Sequence, residues 1–379
     1  MHVWLVTAIS LLSLSRAAAD SLPADVPPVP AIAVGGYVET YYQLHVQNPD
    51  NRLTNLRGFD NRSRTFTLSN VALDVRGERG PISARIVLQI GHAPATYYTV
   101  EPASPGANGA NASDGELWRY LQTATVTGRA PREITIEAGL FTSPIGLEIT
   151  AVKDNWNWSR SNLFFGLPAY HAGITVARPV TTTWTGKLHV YNGWNNVVDN
   201  NGYPSAGASL GFSAGAVSGQ LLYLGGVERA TEAAEGAAWR HLFDAYGQVK
   251  LSDIVSVAAQ LDAGFERNDI GTSRWFAAAG YTKLQLLASL YAAARVDYFY
   301  EHTDGAQPIF WPIEWIASAT ATFAYQPVDY VSVRFEYRHD HAAADAFFGD
   351  AVATDPMTMA YVPNRDAQDT VTAGVTAWF

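Results

Sequence analysis

The sequence predicts an all-β fold: a transmembrane, antiparallel, up-and-down β-barrel of about 16 strands. Three observations carry this. Segments of about ten residues alternate apolar and polar side chains, the period of a strand with two different faces. Short polar turns and long polar loops take turns along the whole chain. The chain ends on an amphipathic strand whose last residue is Phe379. Short turns at one rim, long loops at the other and an even strand number are the marks of a transmembrane barrel.

Residues 1–19 read as a secretory signal, with an apolar stretch from Val3 to Leu14 followed by Ala17-Ala18-Ala19. Cleavage is expected after Ala19. The apolar stretch is too short for a helix that spans a bilayer, which takes about 20 residues. No later stretch is long and apolar enough either, so any membrane span beyond it must be made of strands. Residues 20–31, with the run DSLPADVPPVP, are Pro-rich and acidic and form an extended periplasmic leader. Residues 32–379 are the expected barrel.

Strands are expected near 32–46, 66–77, 82–92, 116–127, 133–142, 170–178, 183–192, 205–213, 218–226, 240–250, 254–265, 273–284, 288–301, 313–325, 330–340 and 369–379. That spacing, roughly 22 residues per strand with its loop, suits a barrel wide enough to hold water. The short turns are expected at 78–81, 128–132, 179–182, 214–217, 252–253, 286–287 and 326–329.

The clearest alternation puts Val331, Val333, Phe335 and Tyr337 on one face and Ser332, Arg334, Glu336, Arg338 and Asp340 on the other. Ile82 to Ile90, Ile134 to Ala138, Val255 to Ala263 and Leu290 to Val296 repeat the pattern. A wet lumen explains a second face that is charged or small in strand after strand. Aromatic residues near strand ends would form interfacial girdles: Tyr37, Tyr41, Tyr42, Trp184, Tyr281, Tyr298, Tyr300, Trp311, Trp315, Tyr325 and Tyr330.

Composition narrows the function. Of 379 residues, 16% are charged and the net charge is −10, with no basic stripe. Nucleic-acid binding is excluded on that pattern. There is no cysteine, hence no disulfide, thiolate metal site or cysteine nucleophile, which suits a bacterial envelope protein. The sequence has no Gly-rich phosphate loop, no His-x-x-x-His pair and no carboxylate pair in an enzyme-like context. Neither a cofactor nor a metal is predicted.

Several runs in the chain are distinctive. Lys153-Asp154-Asn155-Trp156-Asn157-Trp158-Ser159-Arg160-Ser161 precedes Pro168-Ala169-Tyr170-His171-Ala172-Gly173. Asn192-Gly193-Trp194-Asn195-Asn196 follows, then Arg240 to Asp244 (RHLFD), Glu336 to Asp340 (EYRHD) and Asp366 to Thr370 (DAQDT). Gly36 to Tyr42 (GYVETYY) stands near the start. This set resembles β-barrel porin family 2, the OmpL-like porins, over about 35–379. The resemblance implies a porin-like protein of the Gram-negative outer membrane and transfers no solute. A terminal Phe on an amphipathic last strand is similar to the signal read by the barrel assembly machinery, which makes Phe379 the candidate assembly signal.

The candidate selectivity element is the third long loop, 142–170, with Glu148, Lys153, Asp154, Trp156, Trp158 and Arg160. In general porins this loop folds inward, and charges facing each other across a constriction sort solutes by charge. Candidate lumen-wall charges are Arg85, Glu133, Glu137, Lys187, Asp262, Arg295, Asp297, Arg334, Glu336 and Arg338.

The expected function is a water-filled channel for passive diffusion of small hydrophilic solutes or ions, with outer-membrane lipid around it. A plugged barrel that displays its loops as a binding or adhesion scaffold is the alternative from another class. A barrel-rim hydrolase using His171 with Ser159 or Ser161 ranks last. Conduction separates the first two. General porins are homotrimers, but no trimer signal is legible here.

Overall fold

The computed structural model describes residues 31–102 and 113–379; the expected signal and all but the last residue of the leader lie outside the described residues. Sixteen strands follow one another: β1 Ala31–His45, β2 Phe66–Arg79, β3 Ile82–Ile90, β4 Leu121–Ala130, β5 Ile134–Thr142, β6 Tyr170–Pro179, β7 Trp184–Tyr191 and β8 Ser205–Ala214. Then come β9 Val217–Val227, β10 Trp239–Lys250, β11 Val255–Arg267, β12 Thr272–Leu287, β13 Leu290–Asp304, β14 Trp315–Val328, β15 Val331–Ala342 and β16 Ala367–Trp378. Each strand pairs antiparallel with its neighbours in sequence, and β16 closes the barrel on β1 from Tyr37↔Trp378 to His45↔Thr370.

The turns at one rim are tight. Gly215, in the turn between β8 and β9, has φ 57°, a conformation that costs other residues a Cβ clash. The opposite rim carries the longer connections L1 (46–65), L2 (91–120, described outside 103–112), L3 (143–169), L4 (192–204), L5 (228–238), L7 (305–314) and L8 (343–366); L6 (268–271), where a long loop is expected, has only four residues. The backbone of Phe379 exchanges two hydrogen bonds with Gly36, at 3.1 and 3.2 Å, so the chain terminus seals the strand seam at the turn rim.

Alternation sorts the side chains as the period demands. On β15 Phe335 is 57% exposed on the outer face while Glu336 is 3% exposed inside. Ile82, Ile86, Leu88 and Ile90 form the outer face of β3, and Leu261 and Val296 those of β11 and β13. This apolar outer surface, exposed in the isolated chain, is what lipid covers. Tyr42, Trp184, Tyr298, Tyr300, Trp315, Tyr325 and Tyr330 belong to it. Tyr37, Tyr41, Tyr281 and Trp311 do not: they turn inward and are buried, because inward-folded loops need rings to pack against.

Three local expectations need correction. The strand expected from 116 begins only at Leu121; residues Gly115–Trp118 form a short helical turn, whose Asp114 side chain accepts a hydrogen bond from Leu117 N at 3.1 Å. The turn expected at 286–287 falls at 288–289, since β12 and β13 stay paired out to Leu287↔Leu290. Glu133 is not on the lumen wall. It lies in the turn before β5, with φ 59°, outside the ladder that would have aimed it inward.

The main hydrophobic core sits inside the barrel, toward the loop rim. One apolar cluster runs from Phe141 and Tyr191 on β5 and β7 through Leu163 and Leu167 of L3 to Phe299, Ile316 and Phe347. A barrel this wide cannot fill itself with strand side chains, so its loops supply the filling.

The two-faced pattern makes a direct prediction. Phe335→Arg should cost about 2–4 kcal/mol of folding free energy, the usual effect of a cation on a lipid face near mid-membrane. Urea titration of folding into phospholipid vesicles measures it; an unchanged free energy would mean that this face does not meet lipid.

Candidate functional site

L3 leaves β5, folds into the lumen and returns to β6. The sequence of L3 explains why it stays there. Its middle lies outside any strand ladder, so its N–H and C=O groups need other partners, and the facing wall offers charged ones. Glu336 of β15 accepts hydrogen bonds from Trp158 N at 2.6 Å and Ser159 N at 2.9 Å. Arg295 of β13 donates to Ser159 O at 2.6 Å and to Glu148 of L3 at 2.8 Å. Asp297 accepts from the backbone and side-chain nitrogens of Asn162, at 3.0 and 2.8 Å. Arg334 donates to Val152 O at 2.7 Å and Asn157 O at 3.1 Å, and Arg338 to Arg160 O. From β1, Glu39 accepts from Val152 N at 2.6 Å.

The loop also braces itself. Arg160 donates to the carbonyls of Ile149, Thr150 and Trp158 and lies over the Phe59 ring at 5.2 Å. Burial is the largest effect on its guanidinium and lowers its pKa, against nearby Glu39 and Glu148. Asn155 bonds back to Ile149 and Ala151, and Ser161 caps the short helix α1 (Asn162–Phe165) by accepting from Phe164 N at 3.2 Å. Gly374 of β16 lets the Trp158 ring approach; a Cβ there would stand 2.3 Å from it. The Asp-Asn-Trp-Asn-Trp-Ser-Arg-Ser run is therefore a docking sequence.

Other loops lock L3 from the rim side. Arg57 and Asp60 of L1 pair with each other, and Arg57 also reaches Asp340 at 3.4 Å. Burial alone would push the Asp60 carboxyl up, but Arg57, with Arg338 and Arg160 beyond it, holds it below the usual carboxylate range. Asn195 of L4 accepts from Ala169 N at 2.7 Å, and its carbonyl accepts from Tyr170 at 2.9 Å, which gives the Asn-Gly-Trp-Asn run its role.

The sequence-derived candidates fall into three groups, with Asp262 apart from all of them. Glu148, Trp158 and Arg160 of L3 and Arg295, Asp297, Arg334, Glu336 and Arg338 of the wall come together, but buried, facing one another rather than the open lumen. Lys153, Asp154 and Trp156 keep part of their surface free; Lys153 and Asp154 pair at 2.7 Å with side chains 28% and 40% exposed. Arg85, Glu137 and Lys187 line the lumen toward the turn rim and are only partly covered. Asp262 is buried on β11, away from the L3 ladder, opposite Asp244. His171 bonds to Gly193 O at 2.9 Å and Ser143 at 3.2 Å, while Ser159 and Ser161 engage Arg295 and Glu148 instead.

Sequence reading missed Glu39, Arg57, Asp60, Gln260 and Asp244. Arg57 and Asp60 pair with each other three residues apart, and the others act through partners much farther along the chain, so no local spacing marks them.

The sequence matches, over residues 31–379, the family described as Putative beta-barrel porin-2, OmpL-like, and the chain belongs to it. No curated protein matches significantly. Among solved structures it is similar to the outer-membrane channel DcaP of Acinetobacter baumannii, with 13% identity, TM-score 0.62, and 92% of this chain and 97% of that one covered. It is also similar to an anion-selective porin from Comamonas acidovorans, at 12% identity, TM-score 0.60, and 93% and 100% coverage. The trimer form of OmpT from Vibrio cholerae aligns at 10% identity, TM-score 0.59, and 92% and 99% coverage. The chain is thus an outer-membrane porin, a channel for solute diffusion, and its family and fold are those of a channel rather than an enzyme.

Glu336→Ala leaves two buried N–H groups of L3 and the Thr322 hydroxyl without their acceptor, in a wall crowded with buried arginines. It should destabilise the folded barrel by about 3–5 kcal/mol. The urea midpoint and faster amide exchange at Trp158 and Ser159 check this; unchanged exchange there would contradict the docking role.

Proposed function

We propose that L3 defines the narrowest part of the route and that the partly exposed lumen charges on the opposite wall give it a weak preference for small anions. One observation carries the reading: the largest charged ladder is consumed in holding L3, so only charges outside it can act on a passing ion. Among the described residues, Asp154 is matched by Lys153, Glu78 by Arg129 at 2.8 Å, and Asp74 by both Arg76 and Arg85 at 2.8 and 2.9 Å. Lys187, Lys283 and Glu137 make no ion pair. Among the lumen charges that are not buried the balance is positive, and a positive lumen attracts anions. The anion selectivity of the Comamonas porin supports the same direction.

The experiment is reversal potential across a salt gradient in a planar bilayer. Wild type should prefer anions weakly. Arg85→Glu with Lys187→Glu should shift the permeability ratio toward cations by about twofold or more. A ratio that ignores this double change would exclude these residues from the conducting path.

A second reading has one observation behind it. The apolar cluster that crosses the loop half of the lumen would suit a plugged barrel whose loops bind a partner. A folded, inserted protein that never conducts would favour it.

The trimer form of OmpT supports a homotrimer here, which cross-linking in native membranes tests by band size. Phe379 is the proposed signal for the assembly machinery and Ala19 the proposed cleavage position: deletion of Phe379 should slow membrane insertion, and N-terminal sequencing of the mature protein should begin at Asp20.

A further inference from the structure

Asp244 and Asp262 stand directly opposite each other on β10 and β11, both facing the lumen. They are 3% and 1% exposed. Neither forms an ion pair with any cationic side chain among the described residues. Both carboxylate oxygens of Asp244 are buried without a hydrogen-bond partner. Asp262 receives only the Gln260 amide, at 3.0 and 3.2 Å. Their flanking neighbours across the sheet are Leu222 and Ala277, which offer no polar side chain. Two carboxylates in such a place repel each other strongly in a medium of low dielectric, and nothing around them answers the charge.

We propose that Asp244 and Asp262 together bind a hard, oxygen-seeking divalent cation of the calcium class in the lumen wall. The chemistry fits: such ions take carboxylate and amide oxygens and complete their shell with water. The place gives the ion a purpose. Gln260 also accepts from Leu147 N at 2.8 Å, and Gln220 donates to Pro144 O at 2.8 Å, so the first arm of L3 rests on this same patch of wall. A cation there braces the β10–β11 wall on which the first arm of L3 rests. The site does not depend on whether or how the channel selects ions.

The test uses the full-length refolded protein in detergent at fixed pH, with calcium as the probe. The temperature at which the folded band converts to the unfolded one on SDS gels should fall on chelation and recover on adding calcium. The double variant Asp244→Asn/Asp262→Asn should fold and show no response to either treatment. A wild-type midpoint unmoved by chelator and calcium overturns the proposal, and so does a double variant that responds as wild type does. A midpoint that follows pH but not calcium also overturns it, because a shared proton would then neutralise the pair. Should the double variant fail to fold, equilibrium dialysis with radioactive calcium decides: Asp262→Asn should lose one bound ion per barrel relative to wild type, and equal binding contradicts the site.

Discussion

Seven charged side chains on β13 and β15 point into the barrel and are buried there: Arg295, Asp297, Glu301, Arg334, Glu336, Arg338 and Asp340. The rest of the architecture depends on how they are satisfied. Buried charges without partners are among the most costly features a fold can contain. Some pair with each other, as Arg338 does with Asp340 at 2.6 Å. Most of the remaining bonding goes to the backbone of L3. A loop backbone has many donors and acceptors but little apolar surface, so it cannot hold itself against a hydrophobic wall. A ladder of alternating arginine and carboxylate matches it. Each partner solves the other's problem, and the loop ends up inside the barrel.

From that arrangement the division of the lumen follows. Toward the loop rim, L3 brings Leu163 and Leu167 into contact with rings from the wall and from L7 and L8. Toward the turn rim the wall charges stay wet. The strongest charges of the sequence are thereby structural, and weaker, partly exposed ones remain to meet a solute. On the reading proposed above, selectivity is left to the charges that docking does not use.

Much of this was legible beforehand, for a physical reason. Strand number, order and sidedness depend on period-two alternation and turn chemistry, which are local. The orientation of Phe335 and Glu336 could be read from five residues. The role of L3 as an inward loop was legible by resemblance. Where its charges point was not. Trp158 finds Gly374 and Arg160 finds Phe59 across more than 100 residues or between loops, and nothing in the local pattern encodes that. Glu133 failed for a smaller reason: a backbone turn of one residue decides whether a side chain faces the lumen. The Asp244–Asp262 pair needed the register of β10 on β11, which no single segment contains.

If the barrel conducts with L3 docked on its wall, holding L3 there must leave conduction unchanged. The chain has no cysteine, which makes a tether clean. Asn157 donates to Thr322 at 2.8 Å, so Asn157→Cys with Thr322→Cys would fix L3 to β14 by a disulfide. Single-channel conductance should be the same with the tether oxidised or reduced. A unit conductance that changes on oxidation would show that L3 leaves the wall when the channel is open, and would contradict the account.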